Sequence, residues 1–121
     1  MTKEMREKLL NAGIESEMAI ERFMGNESLY IKFLLRFEND ESYFNLCEAM
    51  KQKDCHNAFV AAHMLKGVCG NLSIKRMESI LREQVEYLRN EDFDKAQEMM
   101  DSLGREYEKV KEALEWVRED V

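Results

Sequence analysis

The chain has 121 residues, 45% of them hydrophobic and 36% charged, with no proline, five glycines and a net charge of −7. That length suits one domain around one core, and the lack of proline favours long helices. The negative charge disfavours binding to nucleic-acid phosphates or to an anionic membrane surface.

Apolar spacing then predicts an all-α chain, taken here from its start. Short helices are expected over 4–11 and 17–24, separated by Gly13, with Gly25 as the C-terminal stop of the second. Together they form an expected N-terminal cap over about 1–25. A long helix is predicted from 28 to about 51, with Tyr30, Phe33, Leu34, Phe37, Phe44, Cys47 and Met50 on its core side. Asn39 and Asp40 are poor helix formers within it, and the pattern leaves open whether they interrupt it.

Asp54 offers an N-cap for the next helix, over 55–72, where Cys55, Phe59, Ala62, Leu65, Cys69 and Leu72 make the buried stripe. Ser73 is the expected cap of a fourth helix, which carries Met77, Ile80, Leu81 and Leu88 inward and turns at Asn90. Asp92 caps the last, in which Phe93, Ala96, Met100, Leu103, Tyr107, Val110, Leu114 and Val117 alternate steps of three and four without a break. Long helices joined by short connections run antiparallel to their neighbours. The expected fold is an antiparallel four-helix bundle over about 26–119 with short N-terminal capping helices, all in one domain spanning 1–121.

One window stands apart from this scaffold: Ala62-His63-Met64-Leu65-Lys66-Gly67-Val68-Cys69-Gly70-Asn71-Leu72-Ser73. His63 falls outside the buried stripe. At roughly 100° per residue, Gly67 and Gly70 lie one and two turns beyond it on nearly the same face, with Lys66 beside it at i+3. Two glycines within a helix cost about 1 kcal/mol each relative to alanine, so their placement suggests that a partner surface approaches closely there. Between Cys55 and Met77 the cations Lys66, Lys75 and Arg76 occur with no carboxylate, a positive island on an acidic protein. It suits a partner with clustered carboxylates and a phosphoryl group.

Imidazole is the side chain that is largely neutral, and so nucleophilic, near neutral pH. A free ring nitrogen on His63 can attack phosphorus, and the Lys66 ammonium can stabilise the non-bridging oxygens electrostatically. Val60 and Met64, flanking His63, are the apolar residues expected to contact a docked partner, together with Gly67 and Gly70.

The window resembles the signature of histidine-containing phosphotransfer domains, a histidine followed by x-Leu-Lys-Gly and then Asn-Leu-Gly. Gly25, Asn26, Glu27, Leu29 and Tyr30 are similar to that family's segment at the start of its first long helix, so the likeness runs over about 13–117. It implies a carrier without kinase activity of its own, in which His63 accepts the phosphoryl group, Lys66 stabilises it, Gly67 clears the docking face and Leu65 packs inside. It further implies a monomer, with response-regulator receiver domains and a hybrid sensor kinase as partners, and Mg²⁺ held by the receiver. Gln84 is the candidate for a polar contact to the histidine from the next helix. Two positions depart from the pattern: Ser73 stands for its final glycine, and Cys69 for a small residue such as alanine.

Other chemistry finds little support. Cys47, Cys55 and Cys69 show neither paired nor zinc-ligand spacing and read as reduced thiols. No metal site is expected, since neither His56 nor His63 follows a Glu at the Glu-x-x-His spacing of metal-binding bundles. No phosphate-binding GxxxxGK[ST] loop occurs. The first residues lack the apolar core of a signal peptide, and a cytoplasmic location is expected. An adaptor bundle that binds through helix faces without phosphorylation is the competing reading, and it predicts that His63 is dispensable. His56 reads as a surface histidine.

Overall fold

The computed structural model describes residues 1–120. Val121, the last residue of the expected domain, lies outside the described residues. Helices run over Lys3–Asn11 (α1), Ser16–Arg22 (α2), Glu27–Arg36 (α3), Ser42–Lys51 (α4), Cys55–Leu72 (α5), Lys75–Arg89 (α6), Phe93–Glu98 (α7) and Met100–Asp120 (α8). The chain is an all-α bundle. The pair α3 and α4 forms one leg, α5 and α6 the next two, and α7 with α8 the fourth. Connections as short as Ser73-Ile74 force successive legs to run antiparallel.

One apolar cluster joins every leg, from Met5 and Leu9 of α1 through Leu34, Leu46, Leu65 and Leu81 to Leu103, Leu114 and Val117 of α8. Each fully buried leucine contributes about 2 kcal/mol relative to an exposed one. Helix α5 sits centrally, packed against both α4 and α6. Its inner positions Ala58, Ala61 and Ala62 are small, which lets both neighbours approach closely.

The long helix expected over 28–51 is broken. Phe37–Asn39 tighten into a 3-10 turn, Asp40 is extended, and its Oδ1 accepts from the Ser42 amide at 2.8 Å to start α4. A short side chain that bonds the backbone competes with continued helix. Two residues expected in the core lie at the surface, Phe33 of α3 at 38% and Phe44, after the break, at 64% exposure.

The last helix is interrupted as well, at Met99 between α7 and α8. The carbonyl of Ala96 accepts from the Met99 amide at 3.2 Å and from the Gln84 side-chain amide at 3.1 Å. A helical carbonyl engaged by a side chain from α6 is a local cause of the irregularity. The caps predicted at Asp54 and Asp92 do accept from the amides of Asn57 (3.1 Å) and Lys95 (3.3 Å).

Ser73 plays a different part from the cap expected of it. It ends α5 in the left-handed conformation, at φ 57°, and Ile74 takes the N-cap position of α6 without a side-chain bond. The residue at this bend must adopt a positive φ, which explains why glycine suits the position.

The N-terminal cap closes on this same bend. Ile14 and Ile74 form an isolated antiparallel bridge, in which Glu15 donates to the Ser73 carbonyl at 2.9 Å and Lys75 donates to that of Gly13 at 2.7 Å. Gly13 has φ 81°, and a Cβ there would press within 2.8 Å of the Arg76 side chain. The second helix stops at Arg22, two residues before the expected end, and Met24 and Gly25 follow in the left-handed region at φ 56° and 79°, Gly25 donating to the Ile20 carbonyl at 2.9 Å.

Candidate functional site

The outer face of α5 carries the predicted constellation. Asp54 caps its start, the inward stripe of Ala58, Ala61, Ala62, Leu65, Cys69 and Leu72 fixes its rotation, and His63 is therefore turned to solvent. Val60 and Met64 flank it at 43% and 59% exposure. Phe59 and Cys55, expected in the buried stripe, are only half-buried, and His56 is exposed on the same helix.

The glycines at 67 and 70 differ in kind. A Cβ on Gly67 would meet nothing within 4 Å, so the fold itself has no need of glycine there. A Cβ on Gly70 would stand 2.9 Å from Glu78 Oε2 of α6. Gly70 is thus partly covered from within the molecule, by the far end of one side chain, and stays half-exposed.

The positive island is also reduced. Lys75 pairs with Glu78 at 3.4 Å, and Arg76 pairs with Glu106 at 3.5 Å while donating to the Asn11 carbonyl at 3.1 Å. Lys66 is half-buried and takes part in none of the ion pairs formed among the described residues. Its ammonium is the one left uncommitted in the predicted island.

Gln84 does not reach the site as a surface contact. Its side chain is fully buried and its Nε2 donates to the Ala96 carbonyl and toward Met100 Sδ at 3.0 Å, while Oε1 has no protein partner. The residue serves the packing of α6 against α7 and α8, because a buried amide must spend its donors on whatever carbonyl lies nearest.

Two other elements converge on α5. At its C-terminal end, carbonyls left open by the helix are taken by the N-terminal segment: Arg22 donates to Gly70 at 2.8 Å and to Asn71 at 3.4 Å, and Tyr30 Oη donates to Leu72 at 2.8 Å. Arg22 also bonds Ser73 Oγ. A cation at a helix C-terminus is electrostatically favourable. Nearer His63, the Phe59 ring lies alongside the imidazole, and Arg89 of α6 lies over Phe59. The spacing of three and four residues could have flagged Phe59; nothing local marks Arg22 or Arg89, because each reaches its place only through another helix.

No cluster of three or more His, Cys, Asp or Glu suited to a metal ion occurs among the described residues. No helix among them is long and apolar enough to cross a membrane.

A family model described as Hpt domain matches residues 34–117, well over half of the chain. No curated protein and no solved structure matches it.

Proposed function

The chain belongs to the Hpt domain family, whose members take part in histidine phosphotransfer in two-component signalling, and from that premise we propose that its His63 is a reversible phosphoryl carrier between receiver domains. The lone pair of the distal ring nitrogen, Nε2, forms the new N–P bond as the P–O bond to a receiver aspartate breaks. The aspartate leaves as a carboxylate, and the other ring nitrogen carries the proton until it is released to solvent. The reverse step hands the group to a second receiver.

Lys66 stabilises the non-bridging oxygens, where charge gathers during transfer. The partner receiver supplies the aspartate and the Mg²⁺. Val60, Met64 and Gly67 form the docking patch around the imidazole, and a hybrid sensor kinase stands upstream. The chain acts as a cytoplasmic monomer and has no ATP-dependent kinase activity of its own.

The observation that carries this reading is the open space over Gly67, one turn from an exposed His63. A glycine that costs helix stability and fills no internal need fits a surface kept clear for a partner.

The test is incubation with a phosphorylated receiver domain and Mg²⁺, comparing wild type with His63→Gln. The expected result is acid-labile, base-stable label on wild type alone. Label on the variant would overturn the assignment of His63, and no label on either with several receivers would favour the adaptor bundle.

A further inference from the structure

In-line attack requires the lone pair of the imidazole, which lies in the ring plane, to point at phosphorus from the side opposite the leaving oxygen. An exposed histidine on a helix ordinarily turns its ring among several orientations. His63 has an aromatic neighbour one turn away. The Phe59 ring, one turn earlier on α5, lies nearly parallel to the imidazole, with 6° between planes and 5.8 Å between centroids.

Phe59 is itself braced. It is half-buried against the core, and the Arg89 guanidinium lies over its ring at 5.0 Å from the centroid. Arg89 is in turn paired with Glu86 at 3.3 Å. Two residues four apart on a helix are adjacent whatever their rotamers. A parallel arrangement held from a second helix restricts the ring plane in a way that adjacency alone does not.

Resting on the phosphocarrier reading above, we propose that Phe59, braced by Arg89, is a positioning residue that holds the His63 imidazole in one orientation for attack on the incoming phosphoryl group. It touches neither phosphorus nor the leaving group. Its contribution is to shorten the search for the reactive geometry, and it serves both directions of transfer.

The test compares wild type, Phe59→Leu and Phe59→Tyr by three measurements. Thermal melting reports folding, NMR shifts of the His63 ring protons report the stacked ring, and the initial rate of labelling by phosphoramidate reports reactivity without any docking partner. Phosphoramidate loses ammonia as its P–N bond breaks and the new bond to the imidazole forms. Phe59→Leu is expected to remain folded, to lose the ring-current contribution to the His63 shifts, and to label about 3- to 10-fold more slowly. Phe59→Tyr restores both shift and rate. Should Phe59→Leu fail to fold, Phe59→Met replaces it as the apolar variant without a ring.

An unchanged labelling rate in the folded, ringless variant overturns the proposal, as do unchanged His63 ring shifts. A wild type that takes label from neither phosphoramidate nor any receiver is a different failure: it overturns the carrier reading, and this role falls with it.

Discussion

The Glu78 carboxylate lies over Gly70, so that a Cβ on Gly70 would stand 2.9 Å from its Oε2. The same residue pairs with Lys75 at 3.4 Å and with Arg82 at 3.5 Å, so one carboxylate of α6 both covers part of α5 and neutralises the cations nearest to it. The two glycines of the site face are thereby separated into one that is covered and one that is open.

Alanine substitution distinguishes them. Gly67→Ala is expected to stabilise the fold by about 0.5–1 kcal/mol, since alanine is the better helix former, and to slow transfer from a receiver roughly tenfold by placing a methyl group under the docked partner. Gly70→Ala gains less stability because the flexible end of Glu78 must shift, and it transfers at the wild-type rate. Denaturant melts and receiver-dependent labelling of both variants check this. Equal transfer by wild type and Gly67→Ala would remove the open glycine from the docking patch.

The lysines separate in the same manner. Lys66→Ala is expected to reduce labelling of His63 by roughly tenfold or more, as the loss of one charge-stabilising donor does elsewhere. Lys75, already engaged by Glu78, can become alanine without effect on that rate. The comparison is read from initial rates at matched concentrations of one phosphorylated receiver.

At the bend after α5, Ser73 holds φ 57° while bonding Arg22 through Oγ. Ser73→Gly relieves about 1 kcal/mol of left-handed strain and forfeits that bond, so its net stability stays within about 1 kcal/mol of wild type. Arg22→Ala leaves the serine strained and removes the donor to Gly70 and Asn71. It should cost about 1 kcal/mol, an exposed position tempering the value of a charged hydrogen bond. Urea unfolding orders the two variants, and a less stable Ser73→Gly than Arg22→Ala would contradict this account.

Stability should fall in alkali. Burial pushes the Cys69 thiol far above its ordinary 9.0, with Glu78 and then Asp40 adding to the rise. The folded chain therefore keeps this proton when the unfolded chain has lost it, so the stabilisation is complete below pH 9 and declines as pH climbs from there toward the folded value. Burial raises Tyr30 in the same sense from its ordinary 10.0, against a smaller lowering by Arg22. Melting temperature should thus be level near neutral pH and fall beyond about 9. Cys69→Ala is expected to remove the first part of that decline, and an identical pH profile for the variant would exclude Cys69 as its source.

The spacing of apolar residues reports how a helix is rotated about its own axis, and for α5 this was enough beyond its first turns, where Cys55 and Phe59 are only half-buried. The Asp54 cap, the inward run through Leu65 and Cys69, and the outward His63 all follow from local steps of three and four. The family signature and the all-α class were legible for the same reason, since both are properties of contiguous residues. Which neighbour covers a given face is a property of the assembled bundle. Phe44 keeps helical spacing with α3 yet emerges at the surface after Asp40 bonds the Ser42 amide and restarts the helix, while Phe33 lies at the edge of the buried face of α3. Gln84 sits at a polar-looking position yet is buried because Ala96 offers it a carbonyl from another leg. Gly70 and Gly67 look alike along α5, and only Glu78, arriving from α6, covers part of one of them. Helical periodicity carries an angle and a hydropathy; the distance to a side chain from elsewhere in the chain is set when the helices pack.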